Sequence, residues 1–281
     1  MSQACVIVVN SLVARGRVGA RAQLFALERL GLEPWFLPTV TLPFHPGHGA
    51  GTRILPVEAG FAGLVDDLAK GDLSGVRGVL TGYLGAAWQV PHVLRLISAV
   101  REASPDALVC CDPVIGDEGG LYVGEELALS MLENLVPTAD VVTPNRHELA
   151  WLTGHPVATN TDIIEATSAL APQSVLVTSA HAMMRGNAAS LLVEGKRAWL
   201  AEARAITSPP HGAGDLTCAV FMALRLAGGK PDAVLSRTTS CVHDVLAATG
   251  SGAPEMALVA AQDRLVAPRM PVSLRTLAAA V

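Results

Sequence analysis

Short apolar runs alternate with amphipathic stretches along nearly the whole chain. Residues 5–9 form a continuous apolar run of buried-strand type, broken by Asn10-Ser11 at what reads as the strand's C-terminal edge. Leu24, Leu27 and Leu30 then recur at helical spacing over 19–30, and Gly31 ends that helix. The same alternation continues with strands over 35–40, 76–81, 107–112, 140–143 and 174–179. Helices are predicted over 57–70, 90–101, 125–135, 145–154 and 163–170. Residues 190–193 and 198–201 read as a hairpin across Glu194-Gly195-Lys196-Arg197. Three helices follow, over 213–224, 232–248 and 255–265, before a Pro-punctuated tail. Strands regularly followed by helices predict a three-layer α/β protein with a mostly parallel sheet. No repeat or linker divides residues 1–281, so one domain is expected.

Composition narrows the class. The chain is 51% hydrophobic and 16% charged, too apolar to be disordered, and with few aromatics its packing falls to Ala, Leu and Val. A net charge of -5 and a pI near 5.9 argue against broad nucleic-acid binding, which needs basic patches to displace counterions. The apolar run at the N-terminus is too short for a signal h-region and no stretch approaches a membrane span, so a cytoplasmic protein is expected. Five cysteines without metal-type spacing fit reduced core thiols.

The chemistry-bearing residues cluster just past predicted strand ends, where α/β sheets bind ligands. Ser11 either offers a donor and two acceptors to a ligand or caps a turn. The Pro- and Gly-rich stretch 41–53, with His45, Pro46, Gly47 and His48, suits neither helix nor central strand and reads as a mobile surface loop, with a lid as one option. Tyr83, in Gly82-Tyr83-Leu84-Gly85, either stacks on a flat ligand or covers the core. Asp112, Asp117 and Glu118 lie around a glycine-rich stretch that either holds hydrated Mg2+ or makes an acidic turn. Glu148 is the capping-box partner expected for Asn145. Finally, Pro209-Pro210-His211-Gly212-Ala213-Gly214-Asp215 is a loop feeding a helix N-terminus, a natural seat for phosphate. There Asp215 either caps the helix or takes a proton from an attacking hydroxyl.

No Walker A spacing is present. The segments GYLG at Gly82, CDPVIGDEGGLYV at Cys111, TPNRHEL at Thr143, GAGD at Gly212 and VAAQDRL at Val259 occur in an order that resembles the pyridoxal kinases of the ribokinase superfamily. The resemblance spans nearly the whole chain and implies a single ribokinase-like α/β/α sandwich. It also implies ATP-dependent phosphorylation of the 5'-hydroxymethyl group of pyridoxal, pyridoxine or pyridoxamine, with Mg2+, in a homodimer; the need for a monovalent cation stays open. Asp215 then corresponds to the catalytic base, and the Gly212-Ala213-Gly214 backbone to the anion hole. Asp112, Asp117 and Glu148 correspond to acidic positions that organise Mg2+, mostly through water, and the nucleotide phosphates. Thr143, Asn145 and Thr178 correspond to nucleotide contacts, and Tyr122 lies in the matching YV segment. Ser11, Val18, His45, Gly47 and Tyr83 correspond to the substrate side.

The chain departs from the family at the lid, where a pattern like TVQFSNHTGYG becomes TVTLPFHPGHG and the substrate-contacting threonine becomes Pro46. Losing that hydroxyl removes one hydrogen bond, about 0.5–1.5 kcal/mol. Arg15 and Arg17 stand in the first loop without an assigned role. Two other readings remain: a related kinase for another small hydroxymethyl heterocycle or sugar, and a non-catalytic B6-binding protein. Cys218 lies too far along its helix to fill the anion-hole position of the pyrimidine kinases.

Overall fold

The computed structural model describes residues 4–277. The terminal residues of the expected domain, 1–3 and 278–281, lie outside the described residues. In chain order the elements are β1 Cys5–Val13, α1 Ala20–Arg29, β2 Glu33–Leu42, α2 Glu58–Ala69, β3 Val76–Thr81, α3 Gln89–Ala103 and β4 Leu108–Cys111. There follow β5 Gly116–Asp117, β6 Gly120–Leu121, α4 Glu125–Ser130, β7 Val141–Val142, α5 Arg146–Thr153, α6 Asn160–Thr167 and β8 Ser174–Ala180. The chain then continues with β9 Asn187–Glu194, β10 Arg197–Arg204, α7 Ala213–Leu226, α8 Pro231–Thr249, α9 Asp263–Val266 and β11 Ser273–Leu277.

Nine strands form one sheet in the order β11-β10-β9-β8-β7-β4-β3-β1-β2. Every pairing from β2 to β8 is parallel, and β9, β10 and β11 are added antiparallel. The sheet is covered on both faces, which is why its strands read as continuous apolar runs. In β1 the alternation is resolved residue by residue. Ile7 and Val9 join a core with Phe61 of α2 and Val93 of α3, while Val6 and Val8 join another with Leu27 of α1, Phe221 of α7 and Val245 of α8. Among the described residues, no helix is long and apolar enough to cross a membrane.

Several boundaries differ from the sequence expectation. β1 does not stop before Asn10; it runs to Val13, because Leu12 and Val13 still pair with Thr41 and Leu42 across a register shift. That bulge falls at Ser11, beside the C-terminal ends of the parallel strands. The helix expected over 255–265 shrinks to α9, since Glu255 is drawn to Arg15 at 3.0 Å and the Ala257 N–H donates to Thr249 Oγ1. The Pro-punctuated tail, for which no element was predicted, contains β11, which pairs along β10. The helix expected over 125–135 ends at Ser130 and widens into a single broad turn over Met131–Leu135. α6 starts three residues early, where Thr159 and Asp162 form a reciprocal capping box. The 41–53 loop is closed at its base by a bridge between Thr41 and Ile54, and carries a short 3-10 turn over Pro46–His48 capped by His45 Nδ1.

Candidate active site

The parallel strands β1, β3 and β4 deliver their C-terminal ends to one edge, and α7 brings its N-terminus to the same place. Between them lies a cavity of about 530 Å³ lined by Ser11, Val18, His45, Pro46, Tyr83, Asp117, Tyr122, Asn145 and Asp215, among others.

Asp215 sits in the first turn of α7. Its Oδ2 accepts the Gly19 N–H at 2.8 Å and its Oδ1 accepts Asn10 Nδ2 at 3.1 Å. Burial pushes this carboxyl above its ordinary value, and the two hydrogen bonds pull it back. It does not cap its own helix. The N-cap residue, Gly212, has φ 98° and makes no side-chain cap, which leaves the first-turn N–H groups without a capping side chain. Only glycine fits there, because a Cβ would lie 2.1 Å from the Arg17 carbonyl oxygen. This bare helix start, with the positive end of the helix dipole, suits an anion.

The acidic set divides into two kinds. Asp112, at the end of β4, is buried and accepts Thr143 Oγ1 at 3.2 Å. Glu148 is buried and accepts the Ile115 and Gly116 N–H groups on Oε1 and the Asn145 N–H on Oε2. Burial raises both: Glu148 is pushed up to about 7, and Asp112 is held well above the usual carboxylate range by burial and by the charges of Glu148 and Asp215. Asp117 is exposed and accepts the Gly119 N–H. Among the described residues no group of three His, Cys, Asp or Glu side chains converges closely enough to hold a metal ion. An all-oxygen, partly hydrated Mg2+ fits this set: two buried carboxylates raise each other's proton affinity, and a divalent cation relieves that repulsion.

The expected residues do not all reach the cavity. Asn145 lines it and caps α5, with Glu148 completing the capping box. Thr178 is outside it, joined to this corner through its N–H to the Pro144 carbonyl and a bridge to Asn145. Thr143 is behind Asp112, and its hydroxyl also contacts Cys218 Sγ at 2.6 Å. Tyr122 lines the same cavity as Ser11 and Tyr83. Gly47 packs on the imidazole of His211. Arg15 pairs with Glu255 and lies over the Phe44 ring, and Arg17 lies over Phe25.

Sequence reasoning assigned no role to five contributors to this cavity. Asn10, beneath the floor, and Gly19 hold Asp215. Arg53 lines the wall and donates to the Gly85 carbonyl at 2.6 Å. His211 lines the mouth, and Val114 lines the wall with φ 44°, a strained value for a β-branched residue. His211 was legible as the imidazole in the phosphate-seat loop. Val114 had no sequence signal beyond a turn.

The sequence model of the phosphomethylpyrimidine kinase family matches residues 72–253. A pyridoxal kinase of Rubrobacter xylanophilus is 40% identical over 284 residues, covering 95% of this chain and 96% of the relative. A pyridoxal kinase of Deinococcus radiodurans is 36% identical over 281 residues, covering 94% and 93%. Among solved structures, pyridoxal kinase from Leishmania donovani in complex with ADP and pyridoxamine superposes with a TM-score of 0.90 at 28% identity, covering 98% of this chain and 100% of that one. The same kinase with ADP and pyridoxine gives 0.91 at 28% identity, with the same coverage.

Proposed function

The chain belongs to the pyridoxal kinase family, and from that premise we propose that it transfers the terminal phosphoryl group of ATP to the 5'-hydroxymethyl group of pyridoxal, pyridoxine or pyridoxamine. One observation carries the reading: a carboxylate held by Gly19 and Asn10 in a cavity of about 530 Å³, in the first turn of a helix without a side-chain cap.

Phosphoryl transfer needs in-line placement and neutralised charge more than covalent help from the protein. In this reading the backbone N–H groups of Gly212, Ala213 and Gly214 receive the transferring group, whose equatorial oxygens gain charge in flight. Asp215 accepts the hydroxyl proton as the oxygen attacks. Burial raises its proton affinity and the two donors pull it back, which suits a carboxylate that is to take that proton. Tyr83, Ser11 and Val18 present an aromatic face, a hydroxyl and an apolar surface to the pyridine ring, under a lid formed by His45, Pro46 and Gly47. Asp112 and Glu148, with Asp117 through water, would hold Mg2+, which supplies charge neutralisation on the nucleotide phosphates when bound. Asn145, Thr143, Thr178 and Tyr122 complete the nucleotide side in this proposal. A homodimer in the cytoplasm is part of the same reading and rests on family likeness.

The family model's own description keeps a pyrimidine substrate in view. A coupled ATP-turnover assay with Mg2+, offering each B6 vitamer and hydroxymethylpyrimidine separately, decides between them. Turnover on a vitamer that vanishes in Asp215→Ala, with nucleotide binding retained, is the expected result. Turnover on the pyrimidine alone would move the chain to the second kinase reading. Vitamer binding without ATP consumption would make it a binding protein.

A further inference from the structure

Directly beneath Asp215 lies a pair of amide side chains that the reaction as described does not use. Asn10, on β1, and Gln23, on α1, are both fully buried. Asn10 Oδ1 accepts the N–H groups of Ser11 at 2.7 Å and Tyr83 at 3.0 Å. Two backbone donors on one atom fix which end of the amide is oxygen, so Nδ2 must face the other way. It divides its two hydrogens between Gln23 Oε1 at 2.9 Å and Asp215 Oδ1 at 3.1 Å. Every polar position of this amide is therefore engaged. The space it fills is reserved by Gly82, where a Cβ would fall 2.3 Å from Asn10 Nδ2.

Gln23 is the less expected member. Its Oε1 serves Asn10, while its Nε2 has no hydrogen-bond partner although the residue is completely buried. An apolar side chain would pack at that position of α1 without leaving a buried donor of its own unpaired. What a glutamine adds is one acceptor aimed at Asn10, which anchors the second Nδ2 hydrogen and stops the amide from turning away from the carboxylate.

We propose that Asn10 and Gln23 form a buried amide relay that holds Asp215 in a single orientation, with both acting as positioning residues for the transfer. The inference rests on the reading of Asp215 as the base. A donor on a carboxylate favours its ionised form, so weakening the relay favours the protonated acid and removes base at acidic pH. The other groups facing Asp215 must be weighed in the same experiment. Asp112 and Tyr122 are electrostatically coupled to it, and Asp117, His45, His211 and Arg53 share the cavity. None of these is on β1 or α1, so changes to Asn10 or Gln23 leave them in place.

The test follows kcat/KM for pyridoxal against pH in the parent, Gln23→Met and Asn10→Ala, alongside the 13C carboxyl titration of Asp215 in the Mg2+- and ADP-bound enzyme. Gln23→Met conserves volume and exchanges the unpaired Gln23 Nε2 for one unpaired Asn10 Nδ2 hydrogen, so its Tm should stay close to the parent's. Its acid limb should move upward by on the order of half a pH unit, the effect of one weakened hydrogen bond. Asn10→Ala should move it by about one unit or more, since a donor to a charged group is lost outright. The Asp215 titration should shift in step with the rate. If Gln23→Met folds and shifts neither the acid limb nor the titration, the relay is only packing and the proposal falls, whether or not Asn10→Ala folds. A parent enzyme that turns over no vitamer would remove the kinase reading, while the Asp215 titration would still report whether the amides act on the carboxyl.

Discussion

The imidazole of His211 lies face to face with that of His45, ring centroids 3.8 Å apart and planes inclined by 24°. The contact joins the loop that feeds α7 to the 41–53 loop, and His48 meets both rings edge-on at 6.2 and 6.4 Å. Gly47 completes the seam, because a Cβ there would approach His211 Nε2 to 2.6 Å. The 41–53 loop is thus tied to the loop that feeds α7 by an aromatic contact, worth about 0.5–1.5 kcal/mol.

That tie is sensitive to acid. His45 is lowered to about 4, first by burial and then by the two neighbouring imidazoles, and His211 is also lowered, mainly by burial. A histidine depressed in the folded state favours the neutral form, so its contribution is full above about 6.5, declines as pH falls, and is gone near 4. The KM for pyridoxal should therefore rise across that acid window. His211→Ala should raise it roughly three- to tenfold at neutral pH. His211→Phe, a ring that cannot protonate, should keep the neutral value and weaken the acid dependence. Identical KM profiles for all three proteins would show that the stack does not govern the lid.

The glycines of the anion seat should respond differently to the same added methyl. Gly212→Ala places a Cβ against the Arg17 carbonyl at φ 98°, and should cost about 1–3 kcal/mol of stability, read as a lower Tm. Gly214→Ala meets nothing within 4 Å, so the fold should keep its Tm while the methyl narrows the approach to the first-turn N–H groups. Reduced turnover without a Tm change is expected for Gly214→Ala, measured by kcat and thermal denaturation together.

Magnesium should stabilise the protein in a pH-dependent way. Glu148 titrates at about 7, above its ordinary 4.5, so its stabilising contribution is complete below about 4.5 and is lost as pH rises through 7. A divalent cation compensates the two buried carboxylates only once they are ionised. The increase in Tm on adding Mg2+ should be larger on the alkaline side of 7 than on the acid side, and should shrink in Asp112→Asn.

Pro46 gives the simplest test of the altered lid. Pro46→Thr restores a hydroxyl at the cavity wall and should lower the KM for pyridoxal several-fold, in line with one hydrogen bond of about 0.5–1.5 kcal/mol. Steady-state kinetics at fixed ATP measures it, and an unchanged KM would mean that this chain has no use for the hydroxyl.

Much of this architecture was readable from local pattern. The run Val6 to Val9 reads as a strand buried on both faces, and the Asn145–Glu148 capping box is legible in the sequence. Local pattern failed where distant partners decide. β11 exists because β10 offers an open edge, and the 255–265 helix is interrupted because Arg15, 240 residues earlier, claims Glu255. Asn10 looked like the end of a strand, since its partners Gln23, Tyr83 and Asp215 lie 13, 73 and 205 residues away.

The last of those separations bears on how the protein comes into being. A contact between Asn10 and Asp215 closes a loop of 205 residues, and such long-range pairings form late because the entropy of closure is paid before the contact is made. During synthesis β1 to β4 can meet while α7 is still unmade, leaving the floor of the cavity without its carboxylate. A chain that ends before α7 lacks Asp215 and the Gly212 turn, so the two donors of Asn10 and Gly19 would have no carboxylate to hold.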